Sequence, residues 1–538
     1  MTQDIQYITK TKGLIDNLKN VCANYGLGND GNEFKIITQA FLYKFLNDKF
    51  SYAVKQERLE LAEVDNFSEA LRNLGEEEYQ FLLASLDPNI PRLEPEHLLS
   101  YLYNRQNNPD FAKLFDDTLR QISMDNAEVF SVKSYTGAKD KLFDELSQFI
   151  SDRSQRDDFC RAIVNKLVDF SFEEMFDQKY DFFAAIFEYL IKDYNSDSGG
   201  KYAEYYTPHA VARVMARILV PEPVKKVSCY DPSAGSGTLL MSLAHEIGED
   251  NCTIYSEDIS QKSSNMLRLN LVLNNLTHSI PNVIKTNTLA QPYYLDRKFD
   301  YIVSNPPFKL DFSDFHSDLQ KEVFKQRFFA GIPNIPKKKK ESMAIYLLFI
   351  QHIMYQLSGH GKAAIVVPTG FLTAQSGIEK RIRERLIDNG WLRGVVSMPS
   401  NIFANTGTNV SVLFLDKNAD IEHVVLVDAS KLGHTVKDGN RERTVLTAEE
   451  EKLIVETFHR KQAKEDFSVV VSTDAIKAKN CSFLAGQYFE VKIEYVDIAP
   501  EEFVEKMKGY QERLQALSSE GKELDEKIVA QLKNLIYE

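Results

Sequence analysis

Residues 227–244 read VSCYDPSAGSGTLLMSLA: a short run fit for a buried strand, then an acid, a proline and five small residues, then a run suited to a helix. Strand, tight turn and helix in that order open an α/β unit. Small residues let a ligand come close to the backbone, and the N-terminus of the following helix offers unpaired amide hydrogens. A dinucleotide fingerprint would need a third glycine at position 240, where Leu240 stands. An acid at the strand end, Asp231, suits a ligand that carries an amino group better than one that carries a pyrophosphate.

Outward from this turn, residues 224–417 repeat the pattern. KVSCY, TIYSE, NVIKT, DYIVS, AAIVVP, GVVSM and VSVLFL are strand-like, with amphipathic stretches such as SSNMLRLNLVLNN between the early ones. Alternating strands and helices predict a mostly parallel sheet covered on both faces, with ligands outside the carboxyl ends of its strands. Residues 1–165 read as helical: FKIITQAFLYKFLNDKF sets Phe34, Ile37, Phe41 and Phe45 along one stripe. DFFAAIFEYLIKDY predicts a further helix, followed by the polar NSDSGGKYAEYYTPHA. There Thr207 suits an N-cap and Pro208 a first helical position. Past residue 498, Phe503, Met507, Tyr510, Leu514, Leu517, Leu524, Ile528, Leu532 and Leu535 recur at near-heptad spacing, which predicts an amphipathic helix for packing on this chain or on a partner. The expected division is a helical domain over 1–165, a catalytic domain over 166–475 and a helical tail over 476–538.

The 538 residues suffice for several cores, and 43% hydrophobic with 26% charged residues is ordinary for a globular chain. Five scattered cysteines (Cys22, Cys160, Cys229, Cys252, Cys481) form no CxxC pair, which argues against a zinc site or a disulfide framework and for a reduced, cytoplasmic setting. The N-terminus lacks a signal-like apolar core, and no long apolar run predicts a membrane span. A net charge of -14 is the wrong sign for holding nucleic acid unaided, so positive charge for such a substrate must be local or come from a partner.

Three successive strand ends, beginning with the one that closes at Asp231, suit a cofactor, and a fourth suits its target. TIYSEDIS places Glu257 and Asp258 about twenty residues after the glycine turn, where a carboxylate can accept hydrogen bonds from ribose hydroxyls. In TNTLA, Asn287 can meet an adenine edge. Amine, ribose and adenine contacts in this order are what S-adenosylmethionine would require. The fourth strand ends as YIVSNPPFK, residues 301–309. Two prolines make the turn rigid and hold the Asn305 side-chain oxygen and the Pro306 carbonyl in place. Together they can accept both hydrogens of a planar exocyclic amine and favour the pyramidal form, whose lone pair is free to attack a methyl sulfonium. Phe308 can stack on the base. Such a transfer needs neither a general base before attack nor a metal.

DPSAGSG with SNPPF resembles the class I S-adenosylmethionine-dependent amino-methyltransferases that act on adenine in DNA. With YDFFAAIFEYL, AEYYTP, NMLRLNLVLNN, GKAAIVVPTGFL and GVVSMPSNIFANTGTNVSVLFLDK, the chain over roughly residues 30–490 resembles the modification (M) subunit of type I restriction-modification systems. The resemblance implies a Rossmann-like catalytic sheet and adenine N6 methylation of DNA. It implies cofactor contacts from Glu204, Tyr205, Tyr206, Thr207 and Pro208, from the turn Asp231, Pro232, Ser233, Ala234, Gly235, Ser236 and Gly237, and from Asp258, with the target adenine met by Asn305, Pro306, Pro307 and Phe308. Two positions depart from the family pattern: Ala203 where glycine is common, and Asn287 where an aspartate often meets the adenine amine. The implied partners are DNA, whose target base is flipped out, a separate specificity (S) subunit that reads the sequence, and a second copy of this chain. A restriction (R) nuclease subunit is a further partner that the resemblance admits.

The same turn also suits cytosine N4, an RNA base or a glutamine side chain; length and surrounding segments favour DNA adenine. A non-catalytic scaffold of this fold would be marked by loss of Asn305 or of the glycine turn, and both are present. The run of lysines at 337–340, in FFAGIPNIPKKKKES, is either a solvated face or a phosphate contact beside the flipped base.

Overall fold

A computed structural model of the chain describes residues 2–28, 30–176, 186, 189, 207–403, 409–418, 422–438, 441–489 and 500–533. Residues 1–488 form one compact unit and residues 489–538 a second.

The first unit is built on twelve strands: β1 (Lys133–Ser134), β2 (Val227–Asp231), β3 (Cys252–Asp258), β4 (Val283–Lys285), β5 (Phe299–Ser304), β6 (Leu357–Pro368), β7 (Leu392–Ser397), β8 (Val410–Asp416), β9 (His423–Asp428), β10 (His434–Asp438), β11 (Arg441–Val445) and β12 (Ser468–Ser472). Ten of them make one sheet in the order β1-β4-β3-β2-β5-β6-β8-β7-β9-β12, while β10 and β11 pair as an antiparallel ribbon. From β1 to β6 every neighbour is parallel. Strand β8 runs antiparallel between β6 and β7, and β12 runs antiparallel to β9. Each residue of β8 is buried, which explains its unbroken apolar run: helices cover both faces, so there is no solvent side to alternate with.

All seven expected strands are present, and the sheet extends beyond them. The β-branched runs HVVLVD and SVVVS, past residue 417, form β9 and β12 at one edge. At the other edge β1, two residues long and too short to show a period, comes from within the helical N-terminal region.

In that region the helix Glu33–Glu57 buries more than the expected stripe. Ile36, Ala40, Leu42, Tyr43 and Leu46 are enclosed along with Ile37, Phe41 and Phe45, because other helices surround it. Lys44 and Asp48, one turn apart, are buried as a pair at 2.8 Å, which lets charge enter this core. The run 181–194 lies outside the described residues apart from Ile186 and Tyr189.

The order β4-β3-β2-β5 places the functional cleft. Successive strands step outward from β2 through β3 to β4, and the chain then returns to lay β5 on the other side of β2. Between the carboxyl ends of β2 and β5 the connections leave in opposite directions and open a crevice.

The second unit, described by itself, is the helix Pro500–Lys533. Phe503, Met507, Tyr510, Leu514, Leu517, Leu524, Ile528 and Leu532 are each at least half exposed, so the near-heptad stripe is unburied. Among the described residues no helix is long and apolar enough to cross a membrane.

Candidate active site

The crevice between β2 and β5 is a small cleft lined by Thr207, Asp231, Ser233, Ala234, Ser236, Thr238, Leu239 and Asn305. Three segments far apart in sequence meet there.

The turn after β2 forms the floor. Asp231 is 2% exposed, and its Oδ1 accepts the amide of Ser233 at 2.9 Å, which bends the chain sharply out of the strand. Ser233 Oγ lies 2.8 Å from Ser304 Oγ, so the ends of β2 and β5 are bridged directly. Gly235 and Gly237 take φ values of 54° and 84°. At Gly237 an added Cβ would stand 2.2 Å from Cδ1 of Leu267, which is buried in the helix Gln261–Leu273. This glycine is therefore required by backbone conformation and by packing beneath the turn, apart from any ligand above it. Gly237→Ala should cost about 2 kcal/mol from the positive φ and the overlap together. A urea midpoint equal to that of the parent protein would contradict this account.

The Glu257–Asp258 pair is divided by strand alternation. Glu257 points into the core, fully buried, where Tyr230 Oη donates to it and the amide of Tyr293 reaches it at 2.5 Å. Burial pushes its carboxyl up to about 7. Asp258 stays at the edge, partly exposed, with Oδ2 accepting the amide of Gly235 at 2.9 Å and Oδ1 that of Ser260 at 2.8 Å. Of the two acids, only Asp258 can face a ligand.

Asn287 follows β4, and its side-chain oxygen accepts the amides of Leu289 and Ala290, both at 3.1 Å. With the oxygen so occupied, the NH2 group is the part of the amide left for a ligand. A buried chain supports this loop from below: Arg327 donates to the carbonyls of Leu289 and Thr288 and, at 2.9 Å, to His352 Nδ1, while His352 Nε2 lies 3.1 Å from Tyr230 Oη. Burial and the Arg327 guanidinium keep His352 neutral. Sequence reasoning missed this chain because its members are scattered over more than a hundred residues.

Asn305 directly follows β5. Its Nδ2 donates to Thr207 Oγ1 at 3.1 Å, and no described residue donates to its Oδ1. Thr207 was expected to cap the next helix; instead that helix runs over His209–Leu219, with Pro208 in the cap position and the Pro208 carbonyl accepting the amide of Ala212 at 3.0 Å. The cap is displaced by one residue because the threonine hydroxyl turns across the cleft to the asparagine. Pro306 is buried, while Pro307 and Phe308 are partly exposed. The Phe308 ring meets Tyr346 edge-on, with centroids 6.2 Å apart. Glu204, Tyr205 and Tyr206 lie outside the described residues.

Among the described residues that line the cleft none is basic. Neither Asp231 nor Asp258 is paired with a described basic side chain. Burial pushes the Asp231 carboxyl up to about 7 and raises that of Asp258 as well. Asp231 lines the cleft and Asp258 is tied to the same turn through the Gly235 amide, and carboxyl groups without a described basic partner suit a cationic ligand. One further residue stands out at the same edge: Ile259, directly after Asp258, is 66% exposed. An apolar residue next to a strand-end acid was a readable signal that the sequence analysis passed over.

The N-6 DNA methylase family model matches residues 178–495, which include the whole cleft. The chain belongs to the N-6 DNA methylase family. Among curated proteins it is similar to the type I restriction enzyme MpnII methylase subunit of Mycoplasma pneumoniae, at 26% identity over 76% of this chain and 77% of that one. It is likewise similar to the HindI methylase subunit of Haemophilus influenzae, at 24% identity over 79% of this chain and 93% of that one. Among solved structures, the methyltransferase subunit of a type I restriction-modification system from Streptococcus thermophilus superposes with a TM-score of 0.71 at 22% identity, over 90% of this chain and 100% of that one. The α/β methyltransferase architecture expected from the sequence is the one observed.

Proposed function

We propose that this N-6 DNA methylase moves a methyl group from S-adenosylmethionine to the N6 amine of an adenine flipped out of DNA, as the methylating subunit of a type I restriction-modification complex. The observation that carries the reading is the meeting of Asn305 and the unpaired Asp231 in one cleft between β2 and β5.

The residues fit the cofactor. Buried Asp231, without a cationic partner, would hold its ammonium group; Asp258 would take the ribose hydroxyls, Ile259 would wall the adenine ring, and the Asn287 NH2 would meet a ring nitrogen. When bound, S-adenosylmethionine supplies a methyl carbon made electrophilic by a sulfonium. The chain's own part is to prepare the amine. With Nδ2 committed to Thr207, the amide of Asn305 is held in the orientation that leaves Oδ1 as an acceptor. That oxygen and the Pro306 carbonyl hold the two amine hydrogens and draw the nitrogen toward the pyramidal geometry of the transition state. Phe308, steadied by Tyr346, gives the base a ring to lie against.

If Thr207 orients the amide, Thr207→Val should lower kcat by about tenfold, the equivalent of one lost hydrogen bond, with Thr207→Ser close to the parent. Equal loss in both variants would assign Thr207 a packing role only. The function itself is tested by incubating the complex, as it purifies from its host, with methyl-labelled cofactor and unmethylated plasmid DNA, then digesting to nucleosides. Label in N6-methyl-2′-deoxyadenosine is expected; label in N4-methyl-2′-deoxycytidine, or none, would refute the reading.

Specificity, restriction and second methylase subunits are the partners proposed with it. The helix Pro500–Lys533, with its unburied apolar stripe, is the segment suited to subunit docking.

A further inference from the structure

Residues 309–342 join the Asn305 turn to the helix Tyr346–Gln356 and carry eight basic side chains against five acidic ones, the reverse of the balance in the whole chain. The segment packs around a small core in which its Phe312, Leu319, Phe324 and Phe328 meet Leu289, Met343 and Leu348. Buried Arg327 fastens it to the loop after β4. Its two ends are pinned to each other next to the cleft: the amide of Leu310, two residues past Phe308, donates to the Met343 carbonyl at 3.1 Å, and Lys340 Nζ reaches Ser313 Oγ at 3.3 Å.

The charges within it are not equivalent. Lys321 and Lys325 pair with Asp318 and Glu322 one turn back. Lys337, Lys338 and Lys339 are exposed and form no ion pair with a described residue. They are displayed by a fixed turn, with Lys339 at φ 58° and its carbonyl accepting the amide and the hydroxyl of Ser342 at 2.9 and 2.7 Å. In a chain of net charge -14, three unpaired lysines on the segment that leaves the Asn305 turn, whose ends are tied together at Leu310 and Met343, supply positive charge of the kind a polyanion needs.

We propose that Lys337, Lys338 and Lys339 grip backbone phosphates of DNA next to the flipped adenine, an inference that rests on the DNA-methylating reading of the cleft. A base leaves the stack only if the flanking backbone is held, and lysine binds phosphate as a point charge without reading sequence. Lys340, tied to Ser313, anchors the turn.

The test uses the whole complex with the substitutions K337Q, K338Q and K339Q combined, and follows methylation of unmethylated plasmid DNA over a range of salt concentrations. The KM for DNA should rise, with kcat and the KM for cofactor unchanged. The slope of log KM against log salt should fall by about 2.7, which is 0.9 for each of three phosphates. Arginine at the same three positions should restore both KM and slope. An unchanged slope with methylation intact overturns the inference and leaves the methylating function standing. A lower kcat at unchanged KM also overturns it, by giving the lysines a part in shaping the turn. Absence of transfer by the parent complex would overturn both readings.

Discussion

Asn305→Ala should leave the protein folded and able to bind S-adenosylmethionine while lowering methyl transfer at least about a thousandfold, the equivalent of about 4 kcal/mol of transition-state stabilisation. The effect is large because an exocyclic amine on a purine is a poor nucleophile until its lone pair is withdrawn from the ring, and in the proposed mechanism Oδ1 of Asn305 is one of the two acceptors that do that. It should be selective because among the described residues the Asn305 side chain makes one hydrogen bond, to Thr207, and the floor of the cleft is held independently by the Ser233–Ser304 and Asp258–Gly235 contacts. Asp258→Ala gives the complementary result: weaker cofactor binding, and a rate that recovers toward the parent value at saturating cofactor. Cofactor titration by calorimetry beside single-turnover transfer separates the two. Lost cofactor binding in Asn305→Ala, with intact binding in Asp258→Ala, would invert the assigned roles.

Asp231→Asn should move stability and binding in opposite directions. The carboxyl is buried without a basic partner, and burial pushes it up to about 7. Between pH 4 and 7 the unfolded chain gives up this proton while the folded chain keeps it. The folded state therefore binds more protons over that window, and the contribution of Asp231 to stability falls as the pH rises through it. At pH 8 the folded protein carries a strained carboxylate whose cost is at most about 4 kcal/mol, from a shift of 3.8 to about 7. Asparagine has the same shape without the charge, so the variant should be more stable than the parent at pH 8 and close to it at pH 4. Its affinity for cofactor should drop about a hundredfold, the equivalent of about 2.7 kcal/mol, because the ammonium group loses its counter-charge. In the parent protein cofactor affinity should climb with pH up to about 7, as Asp231 ionises. Urea melts at the two pH values and a calorimetric titration decide the matter. A variant less stable than the parent at pH 8 would show that the carboxylate is satisfied in a way this account omits.

The parts of the site carried by local sequence were legible: a strand, an acid and a glycine turn at 231–237, and a strand closed by an asparagine and two prolines at 305–307. Each is a run of neighbours whose backbone preferences agree. What could not be read are the ties between runs. Thr207 meets Asn305 across 98 positions and Ser233 meets Ser304 across 71, and no periodicity records either. The local rule for Thr207 pointed to a helix cap, and a contact across the cleft overrode it. Between Glu257 and Asp258 the composition is silent; the parity of β3 decides which one faces the ligand. The glycine at 237 was legible as a position but not as a cause, because its reason lies in Leu267, thirty residues on. The strands β9 and β12 carried a clear β-branched signal that lay beyond the expected end of the sheet.

The two-residue strand β1 has an effect out of proportion to its length. Lys133 and Ser134 zip onto the outer side of β4, and the Arg268 guanidinium reaches back to the carbonyls of Lys141 and Leu142 at 3.1 and 3.3 Å. A version of the protein trimmed of its first 165 residues would bare a sticky ladder of unsatisfied amides and carbonyls along β4 and strand a buried guanidinium without its acceptors. Such a fragment would clump instead of standing alone. The N-terminal third of the chain is in this sense a permanent cover for the edge of the sheet on which the cleft is built.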